Sequence, residues 1–195
     1  IDASAVTGLA SDTVANIKTL LTAGNDTAQF TGASFESIAT AVVSDTTLSG
    51  SDLADAIDQA NTATGGTGTV LTISAADTIT GSEANFTALL TDEGNTQIAI
   101  TDQNLTVNTG EISVGNANLL DTTTTGTVTA TIDANTSVDT LETLTGNHAY
   151  TITIGAADAT GKTAAEFNTI NGKTTVAIDA SAVTGLASDT VANIK

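Results

Sequence analysis

Several residue types are absent or scarce in this 195-residue chain. It contains no cysteine, methionine, tryptophan, proline or arginine, and its aromatic residues are four phenylalanines and one tyrosine. The lack of cysteine excludes disulfides, thiol catalysis and thiolate metal sites. Four basic residues face 22 acidic ones, for a net charge of -18. Because almost nothing in the chain can neutralise phosphates, nucleic acids and anionic membrane surfaces are excluded as partners.

Long apolar runs are also missing. No run approaches the roughly 20 residues that span a bilayer, and the start, Ile1-Asp2-Ala3-Ser4, has neither a basic segment nor an initiating methionine. We therefore expect the chain to be a fragment or a processed product, with any targeting signal outside it. A cysteine-free composition is compatible with bacterial export, and we expect an extracellular location at the cell surface.

Threonine and alanine dominate what is present. The 42 threonines and 32 alanines make up more than a third of the chain, while 40% of the residues are hydrophobic. That apolar content is too high for a disordered chain, and the composition is too uneven for an ordinary globular one. The composition is typical of a repetitive structural sequence.

One long repeat is unmistakable. The sequence IDASAVTGLASDTVANIK fills residues 1–18 and recurs without change at residues 178–195. Residues 1–177 are therefore interpreted as one full period, and residues 178–195 as the start of the next identical period. We infer a tandem array or a polymer whose partners are further copies of itself.

Inside the period, a shorter unit recurs about seven times. Most units carry a Thr-Gly or Ser-Gly pair, followed by apolar residues at helical spacing, as at Phe35, Ile38 and Val42. Strand-like alternation precedes most of these turns, at residues 70–73, 97–100, 128–132, 150–154 and 176–178. Glycines mark the turns in six units, namely Gly8, Gly32, Gly50, Gly81, Gly110 and Gly161.

The pattern predicts an α/β repeat fold. We expect a solenoid of about seven coils of roughly 25 residues, each with a short parallel strand and a short helix, stacked into a curved or twisted rod. Apolar strand residues should point inward, namely Ile73, Ile100, Ile132, Ile154 and Ile178. The alternative is an all-β, threonine-rich repeat.

Catalytic residues are not predicted. His148 is the single histidine, it lies in the turn Gly146-Asn147-His148-Ala149, and no nucleophile motif accompanies it. A carboxylate pair of the glycosidase kind would need aromatic residues to line a sugar cleft, and Tyr150 is the one tyrosine. We expect a protein that is not an enzyme.

Acidic residues give weak metal candidates. Asp52, Asp55 and Asp58 fall three apart on one predicted helix, and Asp26 lies in Gly24-Asn25-Asp26-Thr27, which resembles part of a calcium-binding nonapeptide repeat but occurs once. Turn aspartates serve as calcium ligands or, more commonly, as helix caps; they include Asp12, Asp45 and Asp158. We expect no cofactor, with calcium as the one candidate ion.

The segments ITGSEANFTALL and VTGLASDTVANIKTLL, joined to TTVAIDASAV and TVTATIDAN, resemble the Thr/Ala/Asp-rich tandem repeats of giant bacterial cell-surface proteins of the cyanobacterial type. The resemblance implies an exported structural repeat of a filament, sheath or surface layer that assembles head to tail. It also admits the stalk of a large adhesin with calcium or glycan binding as an alternative. No site residue is implied.

Overall fold

The chain contains both short parallel strands and helices, which places it in the mixed α/β class. The computed structural model describes residues 8–24, 40–43, 45–64, 70–73, 77–94 and 97–194. The chain divides into two units, residues 1–103 and residues 104–195. This division differs in kind from the 177-residue period, which concerns repetition along the sequence and stays a prediction.

The first unit contains five strands and three helices among its described residues. In chain order these are β1 (Gly8–Asp12), α1 (Val14–Gly24), β2 (Thr40–Val43), β3 (Thr47–Ser49), α2 (Gly50–Thr64), β4 (Val70–Thr72), β5 (Thr78–Ser82) and α3 (Glu83–Gly94). Strands β1, β2 and β4 form one parallel sheet, with β2 in the middle. Strand β3 pairs in parallel with β5 instead. Helix α1 packs against α2, and α2 packs against α3.

The described residues of the second unit contain three strands and four α-helices. These are β6 (Asn104–Thr109), α4 (Val114–Thr123), β7 (Val128–Thr131), α5 (Val138–Leu141), β8 (Ala149–Thr151), α6 (Ala164–Asn171) and α7 (Val191–Ile194), with a 3₁₀ turn at Ala156–Asp158. Strand β7 pairs in parallel with both β6 and β8. Its sequence Val-Thr-Ala-Thr alternates between buried and exposed side chains, because successive strand residues point to opposite faces.

Among the described residues, the core consists of aliphatic side chains from strands and helices, together with two aromatic rings. Phe86 is 1% exposed and Tyr150 is fully buried. Of the five isoleucines expected to point inward, Ile73, Ile100, Ile132 and Ile154 are buried, whereas Ile178 is half-buried. Each fully buried isoleucine contributes about 1.5–3 kcal/mol relative to an exposed one.

The prediction of a solenoid with one strand and one helix in each coil is wrong. In the first unit two strands, β2 and β3, lie between α1 and α2, and these two strands belong to different sheets. The same holds for β4 and β5 between α2 and α3. The all-β alternative is also wrong, since the described part of the chain contains seven α-helices.

The error comes from polar strands that sequence patterning did not recognise. The sequence predicts Gly8 and Gly81 as turn residues, but they lie within β1 and β5. Strand β5 is Thr-Ile-Thr-Gly-Ser, with one large apolar residue, so its extended form depends on the hydrogen bonds of its partner strand. Gly110 and Gly161 do form turns, with φ of +79° and +83°, a region that glycine enters without strain.

Three other expectations about single elements also fail. A helix is predicted around Phe35, Ile38 and Val42, but Val42 lies in strand β2, where it pairs with Thr72. Residues 31–39 lie outside the described residues. Residues 97–100 form a single bridge, from Ile98 to Leu71, instead of a strand. Residues 176–178 form no strand either. Beta-branched residues favour strands only where a neighbouring strand is in reach.

Candidate functional site

The two copies of the 18-residue sequence lie in different surroundings. The structure describes residues 8–18 of the first copy and residues 178–194 of the second. In the first copy, residues 8–12 form β1 and pair with β2. In the second copy, the identical residues 185–189 form no strand. The contacts of one sequence can therefore be compared at two positions.

The second copy binds the segment that precedes it. The hydrogen bonds that join them include Asp179 N to Ile152 O (2.9 Å), Ile154 N to Asp179 O (2.8 Å), Thr184 N to Ala159 O (2.8 Å), Ala187 N to Lys162 O (2.8 Å), Ala165 N to Asp189 Oδ2 (2.8 Å) and Asn168 Nδ2 to Asn193 O (2.9 Å). Every partner lies earlier in the sequence. We call the bonding atoms of Asp179, Thr184, Ala187, Asp189 and Asn193 the upstream edge of the repeat.

The first copy binds the segment that follows it. Strand β1 pairs with β2, and the backbone N–H of Val14 donates to Oδ2 of Asp45 at 2.7 Å. Nζ of Lys18 lies 2.6 Å from Oδ2 of Asp55 and 3.8 Å from Oδ1 of Asp52, and the hydrogen bond to Asp55 raises the pKa of Lys18. The downstream edge of the repeat consists of β1, Val14, Ile17 and Lys18.

Exposure of the same side chains differs sharply between the copies. Val14 and Ile17 are 5% and 2% exposed, whereas the equivalent Val191 and Ile194 are 74% and 60% exposed. The 18-residue sequence that contains them is the same in both copies, so the difference is due to what packs against them. In the first copy that neighbour is α2. The downstream edge is therefore covered in the first copy and open in the second.

A local cap is the same in both copies. Oδ1 of Asp12 accepts from the backbone N–H of Thr13 at 2.8 Å and from Nδ2 of Asn16 at 2.7 Å. Oδ1 of Asp189 accepts from the corresponding Thr190 and Asn193 at 2.6 and 2.7 Å. The asparagine side chain is in each case the largest cause that lowers the pKa of the aspartate. This cap depends on local sequence, unlike the two edges, which depend on neighbours.

The predicted acidic ridge on α2 serves other contacts. Asp52 and Asp55 form ion pairs with Lys18. Asp58 acts instead on Asp92 of α3, where burial of the carboxyl, together with the negative charge of Asp58, raises the pKa of Asp92 to about 6. Asp26 lies outside the described residues. The structure does not bring these candidates together as a cation site, and their role as ligands stays a prediction.

A different acidic group lies between α5 and α6. Carboxylate oxygens of Asp139, Glu142 and Glu166 lie within 4.8 Å of one another, and within the described ranges this is the one group of three that could hold a metal ion. The sequence does not predict this acidic group, because no sequence motif spans the two helices. Nζ of Lys162 is already there, paired with Asp139 and lying 3.7 Å from Glu166 and 3.8 Å from Asp158. A cation would therefore have to compete with this ammonium group.

Both ring nitrogens of His148 are engaged. Nε2 lies 2.6 Å from Oδ1 of Asp121, and Nδ1 accepts from the backbone N–H of Val128 at 3.2 Å. Burial acts to raise the pKa of Asp121, but hydrogen bonds from Thr145 and His148 outweigh it and lower that pKa overall. The turn requires glycine at position 146, where φ is +69° and a Cβ would collide with Asp121 and His148. The imidazole holds β7 in place and offers no free nitrogen to a reactant.

An open groove of about 310 Å³ lies in the first unit, lined by residues of β4 and of residues 99–103. Gln103 in its wall is 2% exposed, and its Oε1 accepts from the backbone N–H groups of Thr101 and Asp102 at 2.8 and 3.3 Å. The amide oxygen thus stabilises its own loop. No cluster of convergent polar groups marks this groove among the described residues as a ligand site.

Comparison with protein families, with curated proteins and with solved structures gives no match for this chain. In the parts of the chain that the structure covers, no helix combines the length and apolar character needed to cross a membrane. The feature that distinguishes this chain is therefore the repeated sequence with its two edges, and the functional argument starts from it.

Proposed function

We propose that the chain is an extracellular structural repeat of a cell-surface filament, sheath or surface-layer protein, in which copies join head to tail. One observation carries the proposal. The same 18-residue sequence has its upstream edge bound at residues 178–194 and its downstream edge bound at residues 8–18. A copy with both edges bound would be the junction between one 177-residue period and the next.

The side-chain and capping contacts of the downstream edge use different atoms from those of the upstream edge. The upstream edge bonds through backbone groups of Thr184, Ala187 and Asn193 and through Oδ2 of Asp189. The first-copy residues equivalent to these are Thr7, Ala10, Asn16 and Asp12. The side-chain and capping bonds of the downstream edge instead use Val14 N and Lys18 Nζ. One copy can therefore make these capping and ion-pair bonds together with the bonds of the upstream edge.

Apolar burial contributes more free energy to the junction than its ion pair does, so the apolar contacts are its main source of stability. Burying Val14 and Ile17 contributes about 1.5–3 kcal/mol for each side chain. The ion pair between Lys18 and Asp55 is exposed, and pairs of that kind add little. Successive periods carry like charge, with a net charge of -18 for this chain, so salt should strengthen their association by screening. The same charge gives a hydrated, anionic surface.

Two measurements on native material test this function. Peptide mapping of the denatured parent should find a peptide that runs from Lys195 into the sequence that begins at Thr19, in a chain much heavier than one period. Immunogold electron microscopy of intact cells should place the protein in fibres or a coat. A parent near 19 kDa, found inside cells and without fibres, would overturn the proposal.

A further inference from the structure

His148 joins three parts of the second unit. Its backbone pairs with the segment that follows α6, where the His148 N–H donates to Lys173 O at 3.3 Å and the Thr175 N–H donates to His148 O at 2.9 Å. Its ring contacts Asp121 on α4 and Val128 at the start of β7. The side chains of His148 and Asp121 are 12% and 20% exposed, so the pair is largely shielded from water.

The ring contact with Val128 takes the place of a backbone contact of the sheet. Pairing between β7 and β8 begins at Thr129 and Ala149, so Val128 and His148 are the residues directly before that pair. There, Nδ1 of the imidazole accepts from the Val128 N–H at 3.2 Å, where a parallel ladder uses a backbone carbonyl. A carbonyl oxygen takes up no proton in weak acid, whereas an imidazole nitrogen titrates between about pH 5 and 8. This hydrogen bond of β7 therefore depends on pH.

The ionisable groups that face the imidazole come from α4, from β8 and from the segment after α6. Burial acts to raise the pKa of Asp121, but hydrogen bonds from Thr145 and His148 lower it overall, so this carboxylate stays ionised in weak acid. Lys173 adds a positive charge that acts on Asp121. Tyr150 packs edge-on against the imidazole, with ring centroids 5.5 Å apart; burial, together with the charge of Asp121, raises its pKa, so the phenol stays neutral. The sequence of β7 contains no ionisable side chain. Asp121 is therefore the anion that favours a protonated imidazole.

We propose that His148 is an acid-operated latch on the start of β7. The neutral ring accepts from Val128 through Nδ1 and donates to Asp121 through Nε2. A proton taken up from water binds to Nδ1, which then carries an N–H that faces the N–H of Val128. The imidazolium keeps Asp121, because a charge-assisted hydrogen bond is the stronger of the two, and it releases Val128. This inference concerns a device within one chain and does not rest on the proposed function.

The neighbouring contacts of β7 limit what is released. On the β6 side, the Leu105 N–H donates to Thr127 O at 2.9 Å, and protonation of the imidazole leaves that bond in place. On the β8 side, Val128 is fully buried, and a buried N–H without a partner is unfavourable. The start of β7 should therefore open to water more often in acid, whereas the middle of β7, where Ala130 pairs with Tyr150, keeps its ladder.

NMR of the full 195-residue chain between pH 8 and pH 4.5 tests the latch. Nitrogen-15 signals of the imidazole report its protonation, and amide hydrogen exchange, corrected for the intrinsic effect of pH, reports the Val128 hydrogen bond. As the ring becomes charged, protection of the Val128 amide should fall by about ten-fold, the loss expected for one hydrogen bond. Protection of the Ala130 amide should not change, and circular dichroism should show the chain folded throughout.

Four substitutions assign the transition to the two sides of the ring. His148→Asn places an amide oxygen near the position of Nδ1 and should keep the Val128 amide protected at every pH, because an amide does not titrate. His148→Gln places its amide near the position of Nε2 and should leave the Val128 amide unprotected at every pH. Asp121→Asn removes the anionic partner and should move the transition to lower pH. Asp92→Asn removes a carboxyl that titrates in the same range but lies on α3, so it should leave the transition unchanged.

Loss of protection at Val128 in step with protonation of the imidazole supports the latch. An imidazole that stays neutral down to pH 4.5 would overturn it, and so would a Val128 amide that keeps its protection after the ring is charged. Simultaneous loss of protection at Val128 and Ala130 would also overturn it, because the sheet would then open as a whole and His148 would hold no separate element.

Discussion

Asp158 accepts a hydrogen bond of 2.9 Å from the backbone N–H of Val138, the first residue of α5, and the carboxylate that does so is buried. The two residues are 20 apart in the sequence. The same relationship joins Asp45 to the first residue of α1 and Asp189 to the second residue of α6. In each case a later segment supplies a carboxylate to the start of an earlier helix, where unpaired N–H groups and the helix dipole favour negative charge.

Replacing Asp158 by alanine should lower the free energy of unfolding by about 1–3 kcal/mol, because the buried N–H of Val138 would lose its partner. Asp158→Asn should cost less, since the amide oxygen still accepts a hydrogen bond. Urea unfolding followed by circular dichroism measures both. As a control, Glu111→Ala changes an exposed carboxylate and should stay within about 0.5 kcal/mol of the native chain. Equal costs at positions 111 and 158 would contradict the capping role.

Ile17 and Ile194 form a second test, because they share the same local sequence. Ile17 is 2% exposed and Ile194 is 60% exposed. Ile17→Ala should lower the free energy of unfolding by about 2–5 kcal/mol, the usual cost of truncating a buried isoleucine. Ile194→Ala should change it by less than about 0.5 kcal/mol. The comparison is made at low protein concentration, and similar costs for both would mean that the second copy is covered as well.

Local pattern predicted those parts of the fold whose apolar residues alternate. The alternation at residues 128–132 predicts a strand, and β7 covers Val128–Thr131 with Val128 and Ala130 facing inward. The sequence pattern does not predict strand β5, because Ile79 is its one large apolar side chain. Such a strand is specified by its partner β3, which is distant in the sequence, so no window of local sequence contains the signal.

The candidate interface was only partly accessible from sequence for a related reason. Identity of residues 1–18 and 178–195 is visible by inspection, and so is the capping role of turn aspartates. What sequence could not give is the environment of each copy, since Val14 and Val191 have the same neighbours along the chain and opposite exposure. The contacts of Asp45, Asp158 and Asp189 likewise join segments 20–31 residues apart, whereas sequence rules for caps describe contacts within one turn.

His148 should have its proton on Nε2. The backbone N–H of Val128 donates to Nδ1, which therefore carries no proton, and Nε2 donates to Asp121. Nitrogen-15 NMR at neutral pH distinguishes the two neutral tautomers and should show the Nε2–H form. His148→Ala should lower the free energy of unfolding by about 1–3 kcal/mol, because the N–H of Val128 and the carboxylate of Asp121 both lose a partner. The Nδ1–H tautomer would contradict this arrangement.

Asp92 should make stability fall as the pH rises through weakly acidic values. Burial first, and then the charge of Asp58, raise the pKa of Asp92 to about 6 in the folded chain, above the ordinary value near 3.9. Between about pH 4 and pH 6 the folded chain therefore binds this proton more tightly than the unfolded chain, and each step upward in pH removes stability. The contribution is fully unfavourable above pH 6. Because water screens a partly exposed carboxyl, we expect an effect of no more than about 1 kcal/mol.

The measurement for Asp92 is a difference between two variants, since other carboxylates titrate in the opposite sense. Five carboxylates have lowered pKa values, namely Asp12, Asp121, Glu166, Asp179 and Asp189. The stability that they give the folded chain is therefore lost as the pH falls. Asp92→Asn removes one group and leaves these in place. In urea unfolding at pH 4, 5, 6 and 7, the free energy of unfolding of Asp92→Asn should increase relative to that of the native chain as the pH rises. Asp58→Asn should show a smaller increase of the same sign. A constant difference across this range would mean that Asp92 titrates normally, and that α2 and α3 place no repulsive charge beside it.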